Sequence, residues 1–180
     1  IDLSAAWEVT TGSENIVVAV IDSGVLPHAD LVGNLLPGYD FVSSDPGGGF
    51  YTANDGDGRD ADPTDPGDWI THDEHAGHDA SRGFFTGCGV KPSSWHGTHV
   101  AGTIGAATHN RRGIGGINWK VKILPVRAWG KCGGYSSDII DAARWAAGLP
   151  VPGVPRNPNP AHILNMSLDG PGACSLALQQ

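Results

Sequence analysis

The chain has 180 residues and a mass of 18.6 kDa, enough for one domain with a substantial buried core. Its 11 Lys and Arg against 19 Asp and Glu give a net charge of -8 with His neutral, which disfavours nucleic acid and anionic membrane surfaces as partners. Its 27 Gly and 13 Pro demand many tight turns, and no apolar run approaches the ~20 residues of a membrane span.

The opening Ile1-Asp2-Leu3-Ser4 lacks an initiator Met, a basic n-region and an apolar h-region, so a targeting segment is expected to have been removed or never included. Residues 2–9 predict a short helix capped by Asp2 or Ser4, with an apolar side of Ala5, Ala6, Trp7 and Val9. Asn15–Ile21 is a continuous, β-branched apolar run of the kind buried on both faces of a parallel sheet. It stops at the turn sequence Asp22-Ser23-Gly24. Residues 43–95 form a long Gly-, Pro- and Asp-rich excursion without periodicity.

Beyond it, Gly97–Ala107 predicts a helix of small residues, and Val121–Val126 a second buried strand. Ser136–Ala147 predicts an amphipathic helix with a Ser cap and acids in its first turns. The proline-rich 148–160 is a surface loop, and Ile163–Ser167 a third strand. The alternation predicts an α/β fold, a mostly parallel sheet flanked by helices, within one domain.

Asp22 follows a buried strand, where α/β folds place their sites, although a turn-forming Asp fits the same position. His96, at the entry to the small-residue helix, can turn one ring nitrogen to a carboxylate and the other to a reacting hydroxyl. A pair of structural histidines, His96 and His99, is the alternative. Cys88, Cys132 and Cys174 form no Cys-x-x-Cys pair, which argues against a zinc knuckle or a thioredoxin motif.

Between Asp55 and Asp79 nine acids face a single base, Arg59. Asp57, Arg59, Asp60, Asp62 and Asp65 lie on a segment whose carboxylates and carbonyls suit the all-oxygen shell of a structural calcium ion; a solvated acidic loop is the alternative. His72, His75 and His78 invite a zinc hydrolase reading, but match neither His-Glu-x-x-His nor His-x-x-Glu-His.

Val20-Ile21-Asp22-Ser23-Gly24, then His96-Gly97-Thr98-His99-Val100-Ala101-Gly102-Thr103-Ile104, then Asn165-Met166-Ser167-Leu168 resemble, in this order, the subtilisin-like serine proteases. The resemblance covers the chain apart from the excursion. It implies a secreted serine endopeptidase acting on protein or peptide substrates, with Asp22 orienting the imidazole and His96 as general base. It implies a substrate held as an extended strand between Gly133-Gly134-Tyr135 and Ser167-Leu168-Asp169-Gly170. Asp169 stands where that family commonly has Gly, and either favours Lys or Arg before the cleaved bond or faces solvent without effect.

Three further expectations come from the same resemblance. Cys88 and Cys132 pair in a disulfide, leaving Cys174 without its partner. The acidic excursion binds calcium, and Thr108–Ile114 with Asp30 outlines a second calcium loop, although it carries Arg111 and Arg112. The family's Gly-Thr-Ser-Met-Ala-type nucleophile motif and its Ala-Gly-Asn oxyanion motif have no counterpart here. Residues 1–180 are therefore expected to be the N-terminal portion of a peptidase domain, inactive alone, with the Ser and oxyanion Asn supplied by the remainder of the domain. A non-catalytic peptide-binding relative is the alternative.

Overall fold

The computed structural model describes residues 2–168. Eight elements follow one another: α1 (Ser4–Val9), β1 (Val17–Asp22), β2 (Tyr39–Asp40), α2 (His72–Ala76), α3 (His96–Gly105), β3 (Lys122–Arg127), α4 (Ser136–Ala146) and β4 (Ile163–Asn165). The strands form one parallel sheet in the order β2-β3-β1-β4.

The apolar run of β1 is buried on both faces, as its composition predicts. Val18 and Val20 pack with Ala101, Val121 and Ile123 on the α3 side. Ala19 and Ile21 pack with Leu124, Val126, Ala142 and Trp145 on the α4 side. The small residues of α3 have a steric reason. A Cβ at Gly105 would meet Val121 Cγ1 at 2.7 Å, so the helix lies tight on the sheet.

Pro125 lies inside β3, a central strand, and lacks an N–H for the ladder. Ile123 N–H donates to Asn34 O, so two residues on, Pro125 nitrogen faces the same neighbour. There the neighbouring strand begins only at Tyr39, which is why β2 has two residues and the sequence pattern did not announce it.

The excursion is more ordered than its composition suggests. It contains α2, whose Thr71 and Glu74 form a reciprocal capping box, and Gly77 ends it in the left-handed region at φ 73. Antiparallel bridges join Asp40 to Asp60 and Ile70 to Lys91. Two expected caps are corrected. Leu3 precedes α1, with Asp2 Oδ1 accepting from Ser4 N–H, and Tyr135 rather than a serine precedes α4. Asp138 in the first turn of α4 accepts from Ser43 and from Arg59 instead.

The Cys88–Cys132 disulfide is present, closing a separation of 44 residues. Cys174 lies outside the described residues. Among the described residues, no helix is long and apolar enough to cross a membrane.

Candidate active site

Asp22 ends β1 and His96 begins α3, so the strand end and the helix start meet at the C-terminal rim of the sheet. The Asp22 side chain is fully buried, while that of His96 is 40% exposed. His96 Nδ1 lies 2.8 Å from Asp22 Oδ1 and 2.9 Å from Oδ2. An ionised carboxylate only accepts, so Nδ1 carries the hydrogen and Nε2 is left as the basic nitrogen. Ser23 N–H also donates to Asp22 Oδ1, at 2.7 Å, fixing the carboxylate from its own backbone. The Trp129 ring, just past β3, lies 5.9 Å from the imidazole.

Two glycines permit this closeness. A Cβ at Gly97 would sit 2.2 Å from Gly24 O and 3.1 Å from Asp22 Cβ. Gly24, at φ 102, is itself pressed against Pro63 O and Asp65 N. Trp95, before α3, has φ 51, a left-handed conformation costly for a bulky residue. Its neighbours hold it there. Ser94 N–H donates to Asp68 Oδ1 at 2.6 Å, and Lys91 Nζ pairs with Asp68 Oδ2 at 2.5 Å.

The loop after β3 carries Gly133, Gly134 and Tyr135, which line a cavity of about 190 Å³ with Thr52, Phe84, Lys131 and Cys132. Tyr135 hydroxyl donates to Asp45, and Lys131 N–H to Thr52 O. Ser167 and Leu168 leave β4, so both expected substrate segments emerge at the same rim as Asp22. Asp169 and Gly170 lie outside the described residues.

The acidic segment divides. Asp57, Asp60 and Asp62 line a hollow of about 240 Å³ with Asp55, Thr64 and Pro66. Arg59 is turned away, with its guanidinium on Asp138 (2.6 Å) and Asp141 (2.7 Å), so its side chain takes no part in a cation site. Asp65 is also removed from the set. It is buried against Ser23 and Gly67, and burial pushes its carboxyl up despite the donors it accepts. Among the described residues, no three His, Cys, Asp or Glu side chains converge on a point that would hold a metal ion. The His72–His78 group is no exception, since His75 Nδ1 is spent on Cys88 O at 2.8 Å.

In the loop 108–114, Asp30 accepts from the Asn110 amide and Ile114 N–H. Those donors hold its carboxyl below the usual range. Three functional-looking residues escaped the sequence reading: Ser23, Asp68 and Arg127. Arg127, fully buried, bonds Asp40, Asp55 and Ala53 O, and burial pushes Asp40 up to about 7 against the pull of that guanidinium. Asp22-Ser23 adjacency was the one visible signal; the others are contacts across 26 or 72 residues.

A buried carboxylate gripping the inner nitrogen of a half-open histidine is the acid–base pair with which a hydrolase activates a hydroxyl or thiol nucleophile. The comparisons agree with that class. The chain belongs to the subtilase family (peptidase S8), whose description matches residues 13–180. It is 48% identical to an extracellular basic protease of Dichelobacter nodosus over 94% of this chain and 26% of that protein. It is also 48% identical to an extracellular protease of Xanthomonas campestris pv. campestris, over 99% of this chain and 28% of that protein. The chain thus spans little more than a quarter of these relatives. Among solved structures, one of proteases from Pseudoalteromonas arctica PAMC 21717 superposes with a TM-score of 0.84 and 48% identity, over 99% of this chain and 48% of that one. Fervidolysin of Fervidobacterium pennivorans, at 24% identity and a TM-score of 0.57 over 97% of this chain and 20% of that one, shares the fold.

Proposed function

We propose that the chain supplies the acid and the base of the Asp-His-Ser triad of a serine endopeptidase, Asp22 and His96, and that sequence outside these residues supplies the nucleophile. The observation that carries this is the contact of His96 Nδ1 with both oxygens of the buried Asp22. In this reading His96 Nε2 takes the proton of the serine hydroxyl as it attacks the scissile carbonyl, then returns it to the leaving amine. Asp22 keeps the tautomer and stabilises the imidazolium. An extended peptide lies along Gly133–Tyr135 and Ser167–Gly170, held by backbone hydrogen bonds. The relatives' names and the disulfide support an extracellular site of action and protein substrates.

The same reading gives calcium a structural place in the hollow lined by Asp57, Asp60 and Asp62. Asp60 Oδ1 accepts from Asp62 N–H and Asp62 Oδ1 from Thr64 N–H, which leaves the second oxygen of each to face the hollow, whereas Asp55 is engaged by Asp57 N–H and Arg127. Carboxylate oxygens of this kind are the hard donors that calcium prefers, and because no three of these side chains converge on one point, the ion would have to draw them together.

The test is hydrolysis of casein and of chromogenic peptides by the full-length protein, beside its His96→Ala and Asp22→Asn variants. Turnover that falls to the background in both variants supports the reading. Turnover that survives them overturns it, and peptide binding without turnover in the unaltered protein marks a non-catalytic relative.

A further inference from the structure

Ser23 Oγ stands between two groups. It donates to Asp65 Oδ2 at 2.7 Å and accepts from Gly97 N–H at 3.1 Å. Asp65 Oδ1 accepts from Gly67 N–H at 2.8 Å, so the carboxylate is anchored on its far side. Ser23 and Asp65 are 1% and 2% exposed, so no solvent competes for these bonds.

The direction of the hydroxyl matters. A serine has one proton, and giving it to Asp65 leaves only lone pairs to face Gly97. Asp65 thereby commits Ser23 to be an acceptor. That acceptor serves the start of α3, where Trp95 provides no side-chain cap of its own. Ser23 directly follows Asp22, and Gly97 directly follows His96. The Ser23–Gly97 bond therefore ties together the two backbones that carry the acid–base pair. Thr98 adds a second tie by accepting from Leu26 N–H at 2.9 Å.

We propose that Asp65 is a positioning residue that acts through Ser23 to hold the His96 imidazole on Asp22. It rests on the reading of Asp22 and His96 as the catalytic pair. It also explains why one carboxylate of an acidic loop is buried at the site rather than turned to the hollow its neighbours line. The contact spans 42 residues, from the excursion to the end of β1.

The test uses the full-length protein, with two readouts: peptide hydrolysis, and the low-field proton resonance of the His96 Nδ1–H, assigned by its loss in His96→Ala. Ser23→Ala and Asp65→Ala are each expected to lower kcat roughly ten- to a hundredfold, with KM changed by no more than about twofold, because the ring is misplaced and not the substrate. The resonance moves upfield or broadens in both. The double variant is expected to be no worse than the more damaged single one, since the two residues act as a unit. Asp65→Asn, which has one oxygen for the two donors Ser23 and Gly67, is expected to fall between the unaltered protein and Asp65→Ala in both kcat and resonance. An unchanged kcat and resonance in Ser23→Ala and Asp65→Ala, with only the melting temperature lowered, overturns the proposal. So do losses that multiply in the double variant. If Asp65→Ala fails to fold, Ser23→Ala, which removes only a hydroxyl, decides alone. If the unaltered protein shows no hydrolysis, the protease reading fails and the resonance still decides the positioning role.

Discussion

The α/β core and the 43–95 excursion are held together by different physics. In the core, β1 and β3 bury alternate apolar residues on α3 and α4, and the stabilisation grows with apolar area removed from water. In the excursion, where Ala53, Ile70 and Phe85 are also buried, most of the anchors are polar or covalent. Arg59 grips Asp138 and Asp141, Tyr135 donates to Asp45, Ser23 donates to Asp65, Asp68 accepts from Ser94, and Cys88 is bridged to Cys132. Lys131, nearly buried, pairs with Glu74 and lies over Trp69 and Phe85 at 4.7 and 5.1 Å. Of the nine acids between Asp55 and Asp79, three are paired with cations: Asp55 with Arg127, Asp68 with Lys91 and Glu74 with Lys131. The excursion's anchors land beside the site, on Ser23, Ser94 and the 130–135 loop. The core places Asp22, and the excursion steadies what surrounds His96.

The sharpest way to break that division is at the rim itself. Asp22→Asn removes the charge that orients His96 and is expected to lower kcat about 10⁴-fold while leaving the fold intact, measured by peptide hydrolysis and circular dichroism. Next in size is the covalent anchor. Cys88→Ser with Cys132→Ser is expected to cost about 4 kcal/mol in denaturant unfolding on the chain-entropy account, because the loop closed spans 44 residues. Glu74→Ala follows at about 3 kcal/mol, since it leaves the Lys131 ammonium enclosed without its partner. Removing calcium with a chelator is expected to lower stability by about 2–3 kcal/mol relative to saturating ion, and Asp60→Asn with Asp62→Asn should abolish that difference.

The smallest effect is on acid stability. Burial pushes Asp68 and Glu74 up, but bonds from Lys91, Ser94, Lys131 and Thr71 outweigh it, so both titrate below their ordinary values of 3.8 and 4.5. A lowered folded-state pKa adds stability that is complete above the unfolded value and lost as pH falls through the folded one. The excursion is therefore expected to loosen first below about pH 4, seen as amide exchange at residues 68–94 ahead of β1 and β3.

The legibility of the sequence follows the same line. The β1 run, the small-residue helix and the amphipathic α4 could be read because burial imposes a local pattern, and it was the resemblance that singled out Asp22 and His96, which the fold brings together at the ends of such elements. β2 could not be read, since two residues carry no period and the missing N–H of Pro125 limits it from another strand. α2 carried its capping box, Thr71 with Glu74, but no apolar run followed to mark it. The side-chain contacts of Arg59 and Asp65 were hidden in the sequence for one reason. Composition counts charges, whereas pairing with Asp138 or Ser23 is decided by tertiary placement.

The most direct measurement is covalent labelling of the full-length protein by a serine-directed phosphonate, read by intact mass. The account predicts one adduct at a residue outside 1–180, formed rapidly by the unaltered protein and more slowly by about three orders of magnitude or more in His96→Ala. An adduct whose rate is indifferent to His96, or no adduct in a protein that still cleaves peptides, would contradict it.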